Sequence, residues 1–190
     1  MEVSILLLLC GKSCAGKDTI QKELIKMGMK AVVSYTTRHP RKGEIDGVTY
    51  HFISEKEFLD KEEQGFFAET TSYNVATGET WYYGSAIEDL TDDKVAIVNP
   101  EGLRQIKKIK SLNPVAFNII ATKITILDRA KKRGDNTDEV LRRLMADDFD
   151  FADINSHVDF AFRSDLGLGP KILAELILHT YKKVTEEKND

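Results

Sequence analysis

Cysteine is scarce in this chain: only Cys10 and Cys14 occur among 190 residues. Two thiols so placed make neither a disulfide framework nor a zinc site, so a reducing cytoplasm is the expected setting. Net charge is also small, −4, which gives no reason to expect nucleic acid or a membrane surface as a partner. No apolar run is long enough to span a bilayer. The run Ile5–Leu9 lacks a basic leader and leads directly into a glycine loop, so it reads as a buried strand rather than a signal peptide. Internal repeats and low-complexity tracts are absent too.

What is present is 42% hydrophobic residues, enough for one compact domain with one or two small insertions. Short apolar, β-rich runs (Val3–Leu9, Ala31–Tyr35, Val95–Val98, Val115–Ile120 and Val158–Phe162) alternate with amphipathic helical patterns such as Ile20, Leu24 and Met27. That alternation predicts an α/β fold with a mainly parallel, five-stranded sheet covered on both faces. Two regions break the rhythm. Residues 36–90 are rich in Thr, Tyr, Phe and Gly and hold one short helix, opened by Ser54 with Glu57 three residues on, the pattern of a capping box. Residues 123–153 are densely charged and helical. The division expected is a core of residues 1–35, 91–122 and 154–190, a mixed α/β insertion at 36–90 and a helical lid at 123–153. The tail Lys182–Asp190 reads as a solvated, fraying helix end.

Gly11-Lys12-Ser13-Cys14-Ala15-Gly16-Lys17-Asp18 matches the first seven positions of the phosphate loop G-x-x-x-x-G-K-[ST], between an apolar strand and an amphipathic helix. The glycines let successive backbone N–H groups converge on phosphate oxygens, and the helix N-terminus adds partial positive charge. Lys17 is placed to reach the β- and γ-phosphates of a nucleoside triphosphate. The eighth position departs from the motif, because Asp18 stands where a hydroxyl would ligate Mg²⁺. Thr19 offers a hydroxyl one residue later, turned about 100° around the helix. Asp18 either favours the first helical turn electrostatically or holds the metal itself, directly or through water.

Downstream lie two arginines, Arg38 and Arg41, three residues apart around His39-Pro40. They can grip one phosphate as a planar two-pronged clamp, with Tyr50, Ser34, Thr36 and Thr37 supplying hydroxyls. Ser34, Thr36, Thr37, Arg38, Pro40, Arg41, Gly43, Glu44, Gly47, Tyr50 and Phe52 fall in register with S-x-T-T-R-x-P-R-x-G-E-x-x-G-x-x-Y-x-F. In this string the sequence strongly resembles the guanylate kinases. Gly65 to Glu69 resembles their G-x-F-x-E, Tyr83-Gly84-Ser85 their Y-G-[ST], and Arg129 with Arg133-Gly134 their R-x-x-x-R-G, followed by Arg143. Asp159, Ser164 and Asp165 resemble the family's closing D-x-x-x-x-N-D, with serine for asparagine.

The resemblance implies an ATP-dependent kinase that phosphorylates GMP or dGMP with Mg²⁺. It implies that the loop from Gly11 to Thr19, with Arg129, binds ATP. Arg38, Arg41, Tyr50 and Tyr83 hold the acceptor phosphate, while Ser34, Glu69 and Ser85 read the guanine. Lys17, Arg38, Arg133 and Arg143 then compensate charge on the transferring group, with Arg142 a rival to Arg143. Glu69 suits base selection, since a carboxylate only accepts hydrogen bonds and guanine offers N1–H and the 2-amino group as donors. The expected protein is cytoplasmic, a monomer or homodimer, with ATP and GMP or dGMP as its small-molecule partners.

Three departures weigh on that expectation. The family's D-x-D-x-x-G is replaced by Ile97-Val98-Asn99-Pro100-Glu101-Gly102, so both acids are missing. With Asp18, this suggests a metal-facing carboxylate moved from one loop to the other, and predicts that Asn99→Asp with Asp18→Ser retains activity. Second, the stretch from Glu69 to Tyr83 is longer than usual. Third, Lys12 and Cys14 stand where proline and glycine are frequent. Two rival functions follow. Asp18 points toward ribose 1,5-bisphosphate phosphokinase, a relative that also tends to carry aspartate after the loop lysine. A non-catalytic guanylate-kinase-like binding module is the other, and such modules lose the loop lysine and lid arginines that Lys17 and Arg133 represent here.

Overall fold

The run from Ile5 to Cys10 is apolar without interruption, and every residue in it is fully buried. Such a strand has no polar face to offer water, so it must lie inside a sheet covered on both sides. In the computed structural model, which describes residues 5–41, 43–74 and 78–189, this run carries strand β1 (Leu7–Cys10). The elements follow in order as helix α1 (Lys17–Lys26), β2 (Lys30–Ala31), β3 (Tyr35–Thr36), β4 (His51–Phe52), α2 (Glu55–Glu63), β5 (Phe67–Asn74) and β6 (Thr80–Ala86). Then come β7 (Lys94–Ile97), α3 (Pro100–Lys107), β8 (Val115–Ile120), α4 (Lys123–Arg133), α5 (Thr137–Asp150), β9 (Phe160–Arg163) and α6 (Pro170–Asn189).

Five of the strands form a parallel sheet in the order β2-β7-β1-β8-β9, with β1 at its centre. The core divides along the alternation of side chains across β1. Leu7 and Leu9 pack with Leu24, Phe117, Leu173 and Ile177 beneath α1 and α6. Leu6, Leu8 and Cys10 pack with Leu103 and Ile106 of α3 on the other face. Tyr181 of α6 reaches across the sheet's end, its hydroxyl set against the carbonyl of Ile5 and 2.7 Å from that of Asp92. Burial pushes its pKa up to about 12.

The other four strands form a small mixed sheet, β4-β3-β6-β5. This divides the run Ala31–Tyr35, expected to be one strand. Lys30–Ala31 pairs with β7, whereas Tyr35 pairs with His51 and Gly84. The chain crosses from one sheet to the other at Val33, between Val32, which donates to Val95, and Ser34, which accepts from His51. α2 begins where expected, with the Ser54 hydroxyl accepting from the Glu57 N–H. A bulge between Phe67 and Glu69 brings Glu69 opposite Ser85. Val3, Lys42, part of the lengthened stretch between Glu69 and Tyr83 (residues 75–77) and Asp190 lie outside the described residues. No helix among the described residues is long and apolar enough to cross a membrane.

Candidate active site

β1 ends at Cys10, and Gly11 opens the loop with φ 152° in a place where a Cβ would come within 2.4 Å of the Ile119 carbonyl oxygen. No side chain fits there, so the neighbouring strand fixes where the loop departs. Cys14 carries a positive φ of 57°, and Gly16 caps α1 at φ 107°. The Lys17 ammonium turns back over the loop and donates to the carbonyls of Gly11 at 2.6 Å and Lys12 at 3.0 Å. Burial lowers its pKa, although Asp18 and Asp147 oppose the shift.

Carboxylates from α5 sit against this loop. Asp147 Oδ2 accepts from the Ser13 backbone N–H at 2.7 Å. Asp148 is bonded by both Lys12 and Lys123, which together hold its pKa down to about 2. Arg129 is spent on the loop itself, donating to the carbonyls of Cys14 and Ala15 and to Ser164. Ala15 is fully buried and contributes its backbone alone. Arg133 lies beside Cys14 Sγ at 3.3 Å and is paired with Asp135. Arg142 and Arg143 share Glu139, whose pKa falls to about 2 as a result. Asp18 and Thr19 are exposed, and Asp18 makes no hydrogen bond or ion pair with any described residue.

On the small sheet, Glu69 is 9% exposed and Ser85 is 1% exposed. The Ser85 hydroxyl donates to Glu69 Oε1 at 2.7 Å and lies 3.2 Å from the Ser34 hydroxyl. Because Ser85 has one proton and gives it to Glu69, Ser34 must donate to Ser85. Burial raises the Glu69 pKa, and the Ser85 hydrogen bonds partly offset the shift. Arg38 is buried, and its terminal nitrogens engage Glu44 at 2.9 and 3.0 Å. Its Nε is buried without a hydrogen-bond partner among the described residues, and its guanidinium lies over the Tyr50 ring at 5.5 Å. Tyr83 stands between Tyr50 and Tyr73, with ring centroids 6.0 and 5.8 Å away.

One cleft of about 1110 Å³ joins these groups, lined by Gly11, Ser13, Lys17, Ser34, Arg41, Tyr50, Glu69, Tyr83 and Arg143. Cys14, Gly16, Asp18, Thr19, Arg129 and Arg133 line a second hollow, which shares Ser34 and Tyr50 with the first. Lys12, Ala15, Arg38 and Ser85 line neither. Sequence reasoning missed Asp147, Asp148 and Gln105, none of which belongs to a motif, and gave Glu44 no role although it stands in the acceptor string.

Asn99 lines the same cleft as Gly11 and Lys17. Its Oδ1 caps α3 by accepting from Gly102 N–H at 2.7 Å, and its Nδ2 donates to the Thr71 and Tyr73 hydroxyls at 3.1 Å each. The side chain thus bridges the start of α3 and strand β5. Asp159 and Asp165 accept from the backbone N–H groups of Ala116 and Thr122, both at 2.7 Å, and so brace strand ends.

Residues 4–158 match the family model described as guanylate kinase. The guanylate kinase of Clostridioides difficile (strain 630) is 32% identical over 198 aligned positions, spanning 100% of this chain and 94% of that protein. That of Maricaulis maris (strain MCS10) is 36% identical over 152 positions, spanning 75% and 67%. Among solved structures, the guanylate kinase from Anaplasma phagocytophilum superposes with a TM-score of 0.70 over 97% of this chain and 88% of that one. At 20% identity, this likeness speaks for the fold. The relationship in sequence spans the whole chain and includes the loop and both sides of the cleft, and it makes this protein a member of the guanylate kinase family.

Proposed function

We propose that this chain transfers the γ-phosphoryl group of ATP to GMP or dGMP, giving ADP and GDP or dGDP. The observation that carries the reading is one cleft with the buried Glu69 carboxylate at one end and Lys17 with the Ser13 N–H at the other. A buried acceptor-only group selects a base edge that presents donors. Guanine presents two, whereas adenine sets an acceptor at N1 against it, a mismatch that costs orders of magnitude in discrimination. Ser34 and Ser85 complete the base-reading chain. Arg41, Tyr50 and Tyr83 offer donors to the acceptor phosphate, with Arg38 behind them as the fixed charge.

The acceptor phosphate is largely ionised at neutral pH, so no general base is needed. Its oxygen attacks Pγ, the bond from Pγ to the bridging oxygen breaks, and the electron pair leaves on ADP. The protein's part is alignment and compensation of charge. Lys17, Arg133 and Arg143 supply positive charge. Arg133 and Arg143 are held here by Asp135 and Glu139, so closure over substrates exchanges those carboxylates for phosphate. Residues 123–153 act as the moving lid and residues 36–90 as the acceptor insertion on the core formed by the rest of the chain. Closing the cleft excludes water and suppresses hydrolysis of ATP.

Asp18 fits a magnesium role. It is an open carboxylate next to Lys17 with no ion pair to another described residue. Mg²⁺ usually keeps several waters and takes one or two carboxylates beside substrate phosphates, and Asp18 would be such a carboxylate. When bound, Mg²⁺ neutralises charge on the β- and γ-oxygens. We place the protein in the cytoplasm, as a monomer or homodimer.

A coupled ADP-release assay with ATP and Mg²⁺, run against GMP, dGMP, AMP, CMP, UMP and ribose 1,5-bisphosphate, tests the reading. Turnover confined to GMP and dGMP is expected. Turnover on the bisphosphate alone, or silence on every acceptor with GMP still bound, overturns it.

A further inference from the structure

Strand β5 lies at the edge of the small sheet, and α3 of the core runs beside it. Gln105 of α3 treats Thr70 as a neighbouring strand would. Its Oε1 accepts from the Thr70 backbone N–H at 2.9 Å, and its Nε2 donates to the Thr70 carbonyl at 3.1 Å. The second Nε2 proton goes to Glu101 at 3.2 Å. One side chain thus satisfies both backbone groups of the residue that follows Glu69, groups that an edge strand would otherwise leave to solvent.

The same face of α3 makes two more contacts. Asn99, at the helix start, holds Thr71 and Tyr73. Gly102 lies between, where an added Cβ would meet Glu69 Oε2 at 2.8 Å and Asn99 Oδ1 at 3.2 Å. Positions 99, 102 and 105 recur at helical spacing and face residues 69, 70, 71 and 73 of β5, with Glu69 first among them. We infer that α3 sets the position of the Glu69 carboxylate, and that Gln105 is a positioning residue for base selection. The inference rests on the reading of Glu69 as the group that accepts from guanine.

The chemistry is specific to glutamine. Glutamate keeps the bond from the Thr70 N–H but sets an anion against the Thr70 carbonyl. Methionine keeps the length and loses both bonds. Because Gln105 lines neither hollow, its loss acts through the aim of Glu69. A carboxylate displaced by a fraction of an ångström still accepts one hydrogen bond but not two. Discrimination therefore suffers against an acceptor that lacks the second donor, such as IMP, which has N1–H and no 2-amino group.

The test is steady-state kinetics on wild type, Gln105→Met and Gln105→Glu, with GMP and IMP as acceptors, together with hydrogen exchange over residues 67–73. In Gln105→Met the KM for GMP is expected to rise about tenfold or more, while kcat and the KM for ATP change by less than about threefold. The preference for GMP over IMP should shrink by a comparable factor, and exchange at Thr70 should quicken. Gln105→Glu should show the same pattern, and supplies it should the methionine variant fail to fold. An unchanged KM for GMP, or equal losses on GMP and IMP, overturns the inference while wild-type turnover on GMP leaves the kinase reading standing. Wild type that leaves GMP untouched overturns both.

Discussion

The carboxylate of Asp147 sits 2.7 Å from the backbone nitrogen of Ser13 and accepts its hydrogen bond. That amide belongs to the loop proposed to bind phosphate, so on that reading a side chain of α5 stands where a ligand oxygen would. Lys12 is drawn to Asp148 in the same way. The protein carries its own anions against its phosphate loop.

Removing the Asp147 charge should therefore tighten nucleotide binding. Asp147→Asn is expected to lower the Kd for ATP by about threefold to tenfold, within the range of a charge-assisted hydrogen bond that is partly solvated. Calorimetric titration of ATP without acceptor checks this. Weaker binding by the variant would mean that the carboxylate assists nucleotide rather than competing with it.

With Glu69 read as the group that accepts from guanine, acceptor binding depends on pH. Burial raises its pKa, so the protonated form persists above the range of an ordinary glutamate, and a protonated carboxyl donates where guanine needs an acceptor. The KM for GMP should climb on acidification through that raised pKa, with the KM for ATP flat. Stability runs the other way. The raised folded-state pKa contributes stability that is full below the unfolded value and is lost as pH rises through the folded one. Glu69→Gln should therefore cost about a hundredfold or more in kcat/KM for GMP and yet melt no lower than wild type at pH 7. Thermal melts at pH 5 and pH 7 separate the two effects.

Asn99→Asp should be destabilising. It retains the cap on Gly102 but forfeits the donations to Thr71 and Tyr73, and it adds a second carboxylate beside Glu69. A cost of about 1–3 kcal/mol is expected. Adding Asp18→Ser should not rescue it, because the Asn99 amide is committed to β5. Urea unfolding of the single and double variants decides. Full recovery in the double variant would restore the idea of a relocated metal carboxylate.

Asp18→Ala should shift the Mg²⁺ dependence of turnover to higher concentration while leaving the KM for GMP unchanged. An unaltered Mg²⁺ titration would return Asp18 to a helix-favouring role.

Much of this was legible in the chain. β1 and β8 announced themselves because strands covered on both faces need nearly continuous apolar runs, which only Asn118 interrupts in β8. The loop was legible because its glycine–lysine motif stands between an apolar strand and an amphipathic helix. Ser34, Glu69 and Ser85 were reachable only through the acceptor string, since nothing local says that a glutamate after two phenylalanines is buried opposite a serine. Local pattern failed at residues 31–35, where a continuous β-rich run serves two sheets. Propensity reports extended backbone but not which partner it meets. Asp147 and Gln105 escaped for a related reason. Each is a polar residue on a charged or amphipathic helix, and its role depends on a neighbour 134 or 35 positions away.

The Tyr181 hydroxyl, set against the carbonyl of Ile5 from 176 positions away, has a consequence in time. A ribosome adding about 5–20 residues per second releases the first strand many seconds before the last helix. Until α6 emerges, Leu7 and Leu9 lack half of their cover and the loop they carry has no firm base. Nucleotide capture is thus among the final properties the nascent chain acquires, although its glycine loop is among the first parts made.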